Sequence, residues 1–178
     1  MIYTSGTTGR PKGVRRRPST PEQQAAAGQE AAIFWGLRPD PAIVVLMNGP
    51  MYHSAPAAYG MASARLGLNM VLQPRFEAED MLRLIDRHRV SHMHIVPTML
   101  VRLLRLPDAT QQRYDLSSLR FVSHGAAPCA PAVKRQMIEW WGPVINEYYG
   151  ATETGVVVWH GSEEALRKPG TVGRVVPG

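Results

Sequence analysis

Short apolar runs separated by stretches of helical periodicity constrain this chain more than any other feature. Ala42-Ile43-Val44-Val45-Leu46-Met47 is continuous and β-branched, and it stops at the turn signal Asn48-Gly49-Pro50, so it reads as a buried strand. Asn69-Met70-Val71-Leu72, His92-Met93-His94-Ile95-Val96 and Leu119-Arg120-Phe121-Val122-Ser123 repeat the pattern, and Val144-Ile145-Asn146-Glu147-Tyr148 closes it. Between them, Glu77 to His88 carries apolar residues at Ala78, Met81, Leu82 and Ile85, and Pro97 to Leu106 at Leu100, Val101, Leu103 and Leu104. Pro131 to Trp141 does so at Val133, Met137, Trp140 and Trp141. This is the spacing of one helix face. Upstream, Glu22 to about Trp35 is rich in helix formers, opened by Thr20 and Pro21 and ended by Gly36. Strands alternating with helices imply βαβ units: an α/β fold with a mostly parallel sheet flanked by helices.

At 178 residues the chain has the length of one domain. Its net charge is +6, yet Arg15-Arg16-Arg17 is the only basic run and no aromatics interleave with it. That pattern reads as a solvated strand end or loop and gives no nucleic-acid partner. The single cysteine, Cys129, excludes an intrachain disulfide and suits a reducing compartment. Nothing at the N-terminus resembles a signal peptide, and the longest apolar run is too short to cross a bilayer. The expected location is cytoplasmic, without membrane insertion.

In an open α/β sheet, ligands bind beyond the carboxyl ends of the strands. Two segments of small and polar residues fall there: His124-Gly125-Ala126-Ala127-Pro128 and Tyr149-Gly150-Ala151-Thr152-Glu153-Thr154-Gly155. They face one point in space if their strands are neighbours. Small residues in the first let a flat ring lie against the backbone, although a plain strand-to-helix turn fits equally well. In the second, Tyr149 offers a ring, Thr152 a hydroxyl and Glu153 a carboxylate suited to a hard cation such as Mg²⁺. A capped turn opened by Thr152 or Thr154 is the alternative there. A third segment, Tyr3-Thr4-Ser5-Gly6-Thr7-Thr8-Gly9-Arg10-Pro11-Lys12-Gly13, combines glycines, hydroxyls and a lysine, the makings of an anion-binding loop. It is not a Walker A loop, because Pro11 precedes Lys12 and Gly13 follows it.

YTSGTTGRPKG resembles the phosphate-loop signature of the acyl-adenylate-forming superfamily, which includes acyl-CoA synthetases, luciferases and peptide-synthetase adenylation domains; YYGATETG resembles its second core motif. The resemblance implies that Thr4, Ser5, Gly6, Thr7, Thr8, Gly9 and Lys12 hold the β,γ-phosphates of ATP. It implies that Tyr149, flanked by Tyr148 and Gly150, stacks on adenine, and that Gly125, Ala126, Ala127 and Pro128 line the base. Thr152 would contact the α-phosphate and Glu153 would help hold Mg²⁺. Pro50-Met51-Tyr52-His53 resembles the P-x-[FY]-H segment of acyl-CoA ligases, which places His53 near the acyl carboxylate and the thiol tunnel. A peptide-synthetase domain would be expected to carry an aspartate in this stretch. Gly60 through Gly67 resembles the helix behind the acyl pocket. The implied reaction joins a small-molecule carboxylic acid to ATP as an acyl-adenylate, then to coenzyme A as a thioester, with Lys12, His53, Thr152 and Glu153 as the catalytic set.

Members of that superfamily carry a long region before the opening loop, whereas only Met1 and Ile2 precede Tyr3 here. Gly170-Thr171-Val172-Gly173-Arg174 looks like the entry to a further β subdomain. The ribose-gripping aspartate, the hinge and the small C-terminal lid domain with its lysine have no counterpart. Residues 1–178 are therefore expected to be a partial N-terminal adenylation domain, weakly active or inactive alone. A nucleotide-binding module without catalysis and a purely structural fragment are the alternatives. Fatty, aromatic and steroid acids all fit as substrate. His88, His92 and His94 lack a metal-ligand pattern, Cys129 reads as a small buried thiol, and Trp140-Trp141 as a buried helix end.

Overall fold

The structure, a computed structural model, describes residues 2–4, 9–10, 12–15 and 20–175. It begins with an antiparallel pair, β1 (Ile2–Thr4) and β2 (Lys12–Val14), whose register sets Thr4 opposite Lys12. Helix α1 (Pro21–Trp35) follows. A capping box opens it: the Thr20 hydroxyl accepts from the Gln23 amide at 3.3 Å, and the Gln23 side chain accepts from the Thr20 amide at 3.0 Å. Gly36, at φ 66°, ends it in the left-handed conformation that glycine tolerates.

The chain then alternates as β3 (Val44–Met47), α2 (Ser54–Arg65), β4 (Asn69–Leu72), α3 (Ala78–His88), β5 (His92–Ile95) and α4 (Pro97–Leu104). A single-turn helix α5 (Asp108–Gln111) leads to β6 (Phe121–His124), α6 (Pro131–Trp141) and β7 (Ile145–Ala151). The last elements are β8 (Gly155–His160), α7 (Ser162–Arg167) and β9 (Arg174–Val175). Seven strands form one sheet in the order β4-β3-β5-β6-β7-β8-β9, parallel from β4 to β7 and antiparallel at β8 and β9. The mostly parallel, helix-flanked sheet expected from the periodicity is present.

Strand alternation divides the core between two faces. Leu46, Met93, Ile95, Val122 and Ile145 point to one side, where Met81, Leu82 and Ile85 of α3, Leu100 and Leu103 of α4, and Met137 of α6 cover them. Val45 and Met47 point to the other, against Ala31 of α1 and Tyr59 of α2. Each such side chain, fully withdrawn from water, contributes about 1.5–3 kcal/mol, so covering both faces is what holds parallel strands together.

Several boundaries differ from expectation. The first buried strand starts at Val44, because Asp40 and Pro41 turn the chain and the Asp40 carboxylate accepts from the Ala42 amide at 2.9 Å. Helix α4 stops at Leu104, two residues short of the expected Leu106. Helix α2 begins at Ser54, ahead of the Gly60–Gly67 stretch. Strands β8 and β9 and helix α7 lie beyond the expected series, which ended at Tyr148. The run Val156-Val157-Val158-Trp159 has strand composition but no alternation, and it pairs with β7 on one side and β9 on the other. Among the described residues, no helix is long and apolar enough to cross a membrane.

Strand β4 is an outer strand of the sheet, and it leaves Met70 37% and Leu72 67% exposed. An exposed apolar edge invites strand addition from another molecule. Leu72→Lys should lower concentration-dependent self-association in sedimentation velocity, with the unfolding midpoint unchanged; self-association that persists at the parent's level would place the sticky surface elsewhere.

Candidate functional site

The parallel register places the carboxyl ends of β5, β6 and β7 level: Ile95 pairs with His124, and His124 with Glu147. The segments that leave β6 and β7 therefore emerge side by side. In the first, Gly125 is buried against Tyr148. A Cβ there would lie 2.6 Å from Tyr148 Cζ and 2.8 Å from the Tyr148 carbonyl oxygen, so glycine is required by close approach. The next residue, Ala126, sits at φ 68°, a left-handed conformation that costs a non-glycine residue roughly 1–2 kcal/mol. Ala126, Ala127 and Pro128 are exposed, and α6 begins three residues further on.

The second segment is more ordered than the sequence suggests. Strand β7 runs to Ala151, so Tyr149 and Gly150 belong to the strand rather than to a loop. The reason is β8, which folds back to pair Tyr149 with Val158 and Ala151 with Gly155. At Gly150 the two backbones come so close that a Cβ would meet the Gly155 oxygen at 2.1 Å. The turn is a β-hairpin, not a capped helix: the Thr154 hydroxyl accepts from the Ala151 amide at 3.3 Å and donates to the Gly155 carbonyl at 3.1 Å.

Adjacent tyrosines on β7 have opposite fates. Tyr148 is buried, its hydroxyl 2.7 Å from His94 Nε2, whereas Tyr149 is 62% exposed. Thr152 is half-buried at the turn and Glu153 is exposed. The N-terminus of α2 reaches the same turn from 98 residues away: Ser54 Oγ lies 3.4 Å from Thr152 Oγ1. His53 is the N-cap of α2, exposed, with its ring 4.7 Å from that of Tyr52. The structure thus joins Gly125–Pro128, Tyr148–Glu153 and His53-Ser54 at one end of the sheet. Thr4 and Lys12 are backbone register partners in the β1–β2 pair, and Gly9, in the segment that joins those strands, is exposed. Ser5, Gly6, Thr7 and Thr8 lie outside the described residues.

Behind these segments lies a charged cluster that the sequence reading missed. His124, Glu147 and His160 occupy one row across β6, β7 and β8. Lys134 of α6 makes an ion pair with Glu147, and His160 Nε2 lies 3.1 Å from the same carboxylate oxygen. All four side chains are buried. A signal did exist: Ile145 and Glu147 share a strand face, so an apolar face carried a carboxylate that needed a cation. Burial pushes the Glu147 carboxyl up, but hydrogen bonds from His160 and Lys134 bring it below its ordinary value.

The isolated histidines and cysteine have ordinary explanations. His92 Nδ1 lies 2.8 Å from the Ser91 hydroxyl. Burial lowers His92, His94 and His124 to about 4 each, with the His124 imidazole a second contribution at His94. Cys129 is half-buried, and burial raises its thiol to about 11, which makes it a poor nucleophile. Trp141 is buried and Trp140 packs at its side, ring centroids 5.5 Å apart. A groove of about 540 Å³ lies between Ile33, Trp159, Glu163, Arg167 and Arg174, and neither His53-Ser54, Gly125–Pro128 nor Tyr148–Glu153 lines it.

Comparison with known proteins gives a consistent picture. The sequence matches the AMP-binding enzyme family over residues 1–178. A medium/long-chain-fatty-acid–CoA ligase of Mycobacterium tuberculosis is 34% identical over 158 residues, which span 89% of this chain and 26% of the ligase. The N-terminal domain of FACL13 from Mycobacterium tuberculosis, solved with an inhibitor bound, superposes with a TM-score of 0.81 at 31% identity. That match covers 98% of this chain and 42% of that one. The o-succinylbenzoate coenzyme A synthetase of Bacillus subtilis, solved in complex with ATP and magnesium ion, superposes with a TM-score of 0.77 at 29% identity, covering 98% of this chain and 35% of that one. The chain spans less than half the length of each.

Two outcomes follow from the packing. Gly125→Ala must displace Tyr148 and should cost about 1–3 kcal/mol in urea unfolding; a neutral result would mean the ring moves freely. For the buried histidines, the folded-state pKa lies below the ordinary 6.5. As pH falls through 6.5 the unfolded chain takes up protons that the folded chain refuses until about 4. Stability is then flat above this window and falls within it, by up to a few kcal/mol per histidine. Urea midpoints between pH 7 and 4.5 measure the slope, and His94→Gln should make it shallower.

Proposed function

Because this chain belongs to the AMP-binding enzyme family, we propose that it forms the nucleotide-binding core of an acyl-CoA ligase. In this reading a carboxylate attacks the α-phosphorus of ATP, giving an acyl-adenylate and pyrophosphate, and the thiol of coenzyme A then displaces AMP to leave a thioester. The convergence of Gly125–Pro128 and Tyr149–Glu153 beyond adjacent parallel strands is the observation that carries it.

Each residue has a task that its position supports. Tyr149 presents an exposed ring on which adenine stacks, and the small side chains of Ala126 and Ala127 let the base lie flat. Tyr148 supports this arrangement from behind, packed under Gly125. Thr152 offers its hydroxyl to the α-phosphate. Lys12, with Thr4 and residues 5–9, holds the departing phosphates. His53, the N-cap of α2 beside Ser54, would meet the acyl carboxylate.

Glu153 is the carboxylate that would hold Mg²⁺. The donor set fits a hard cation: one exposed carboxylate, flanked in sequence by the threonines Thr152 and Thr154, with water and phosphate oxygens to complete the shell. When bound, the ion supplies charge neutralisation at the phosphate oxygens. No general base is needed for the first step, since the nucleophile is already ionised at neutral pH. The residues' work is charge stabilisation and alignment.

Calorimetry with ATP and MgCl₂ should show saturable binding that Lys12→Ala and Glu153→Ala each weaken about tenfold, or about 1.4 kcal/mol. Hydroxylamine trapping with a panel of fatty and aromatic acids then reads adenylate formation. Binding without trapping would reduce the assignment to a nucleotide-binding module, and absence of binding would overturn it.

A further inference from the structure

The buried cluster behind the site has a geometry that packing alone does not require. Glu147 precedes the exposed Tyr149 by two residues on β7. The segment between β6 and α6, residues 125–130, is bracketed by His124 at its near end and Lys134 in the first turn of α6 at its far end. Lys134 Nζ pairs with the Glu147 carboxylate, and His124 Nε2 lies 3.8 Å from the same Oε2. His160 holds that oxygen from β8, and its Nδ1 lies 3.1 Å from the Gly161 carbonyl. Both ring nitrogens of His124 are buried without a hydrogen-bond partner among the described residues. The Lys134–Glu147 pair therefore ties the far end of the first segment to the root of the second, while the near end is set by the strand register of His124 with Glu147.

Stability does not explain the arrangement. A buried ion pair is often no better than an apolar pair of the same volume, because the desolvation of both charges offsets their attraction. The backbone between the brackets is under strain at Ala126, and such strain persists only where its surroundings over-determine it. Strand pairing at His124 and the ion pair at Lys134 fix its two ends.

We propose that Lys134 and Glu147 are positioning residues, a buried ionic clamp that fixes Gly125–Pro128 relative to Tyr149 so that the two segments are spaced for a flat ring before any ligand arrives. The inference rests on the nucleotide reading of these segments, yet the clamp itself can be tested without a ligand.

The decisive variant is Lys134→Met combined with Glu147→Leu, which keeps the volume and leaves no unpaired charge. In the ligand-free chain, the amide resonances of Gly125, Ala126, Ala127 and Tyr149 should broaden or split, while those of Val45 and Met93 stay in place. Its urea midpoint should remain near the parent's and its affinity for AMP should fall at least tenfold. Lys134→Arg, which keeps the charge, should restore single sharp resonances and parental affinity. Loop resonances identical to the parent's in the double variant would overturn the clamp. If the double variant fails to fold, Glu147→Gln keeps the shape and weakens the pair, and unchanged loop resonances there would overturn it equally. If the parent does not bind AMP, the nucleotide reading fails and the ligand-free resonances still decide the clamp.

Discussion

Parallel pairing of β6 with β7 is the contact on which the rest of the site depends. Parallel strands cannot be joined by a tight turn, so a helix must cross between them, and α6 fills that role here. The crossover forces the segment after β6 to leave over one face of the sheet and to return beside β7. Both segments thereby end at the same level, set by a register in which His124 faces Glu147. A slip by one residue would reverse every side chain on β7 and carry Glu147 from the Lys134 side of the sheet to the His94 side.

That register also explains why charge sits inside the sheet. The face that buries Val122 and Ile145 continues, two residues on, to His124 and Glu147. An isolated carboxylate could not stay ionised there, and Lys134 and His160 make it tolerable. On the opposite face the same alternation brings Tyr148 to His94, where a neutral imidazole and a phenol satisfy each other. The two faces of β7 thus solve one problem by different chemistry: an ion pair under α6, a neutral hydrogen bond under α2.

Much of the fold was legible because helices and strands advertise themselves by period. Helix α6 runs from Pro131 to Trp141 as its apolar spacing indicates, and β4 from Asn69 to Leu72. What escaped depends on partners distant in sequence. Tyr149 and Gly150 look like a loop, and only pairing with β8 makes them strand. The meeting of Ser54 with Thr152 joins residues 98 apart, and no local pattern encodes it. Lys134 resembles any helix lysine until the strand face beneath it is known. The motif residues were readable as types and spacings; their exposure was not, and it separates Tyr148 from Tyr149.

The hydroxyl contact between Ser54 and Thr152 joins two bodies of different make. One is the rigid β7–β8 hairpin, cross-linked by main-chain pairs. The other is the tip of α2, a rod anchored through Tyr59 against Val45 and Met47 of β3. A long, neutral contact of this kind is a loose fastening between two stiff parts. A small tilt of that rod would therefore change the Ser54–Thr152 spacing, and with it the place of His53, before it disturbed the pairing of the hairpin.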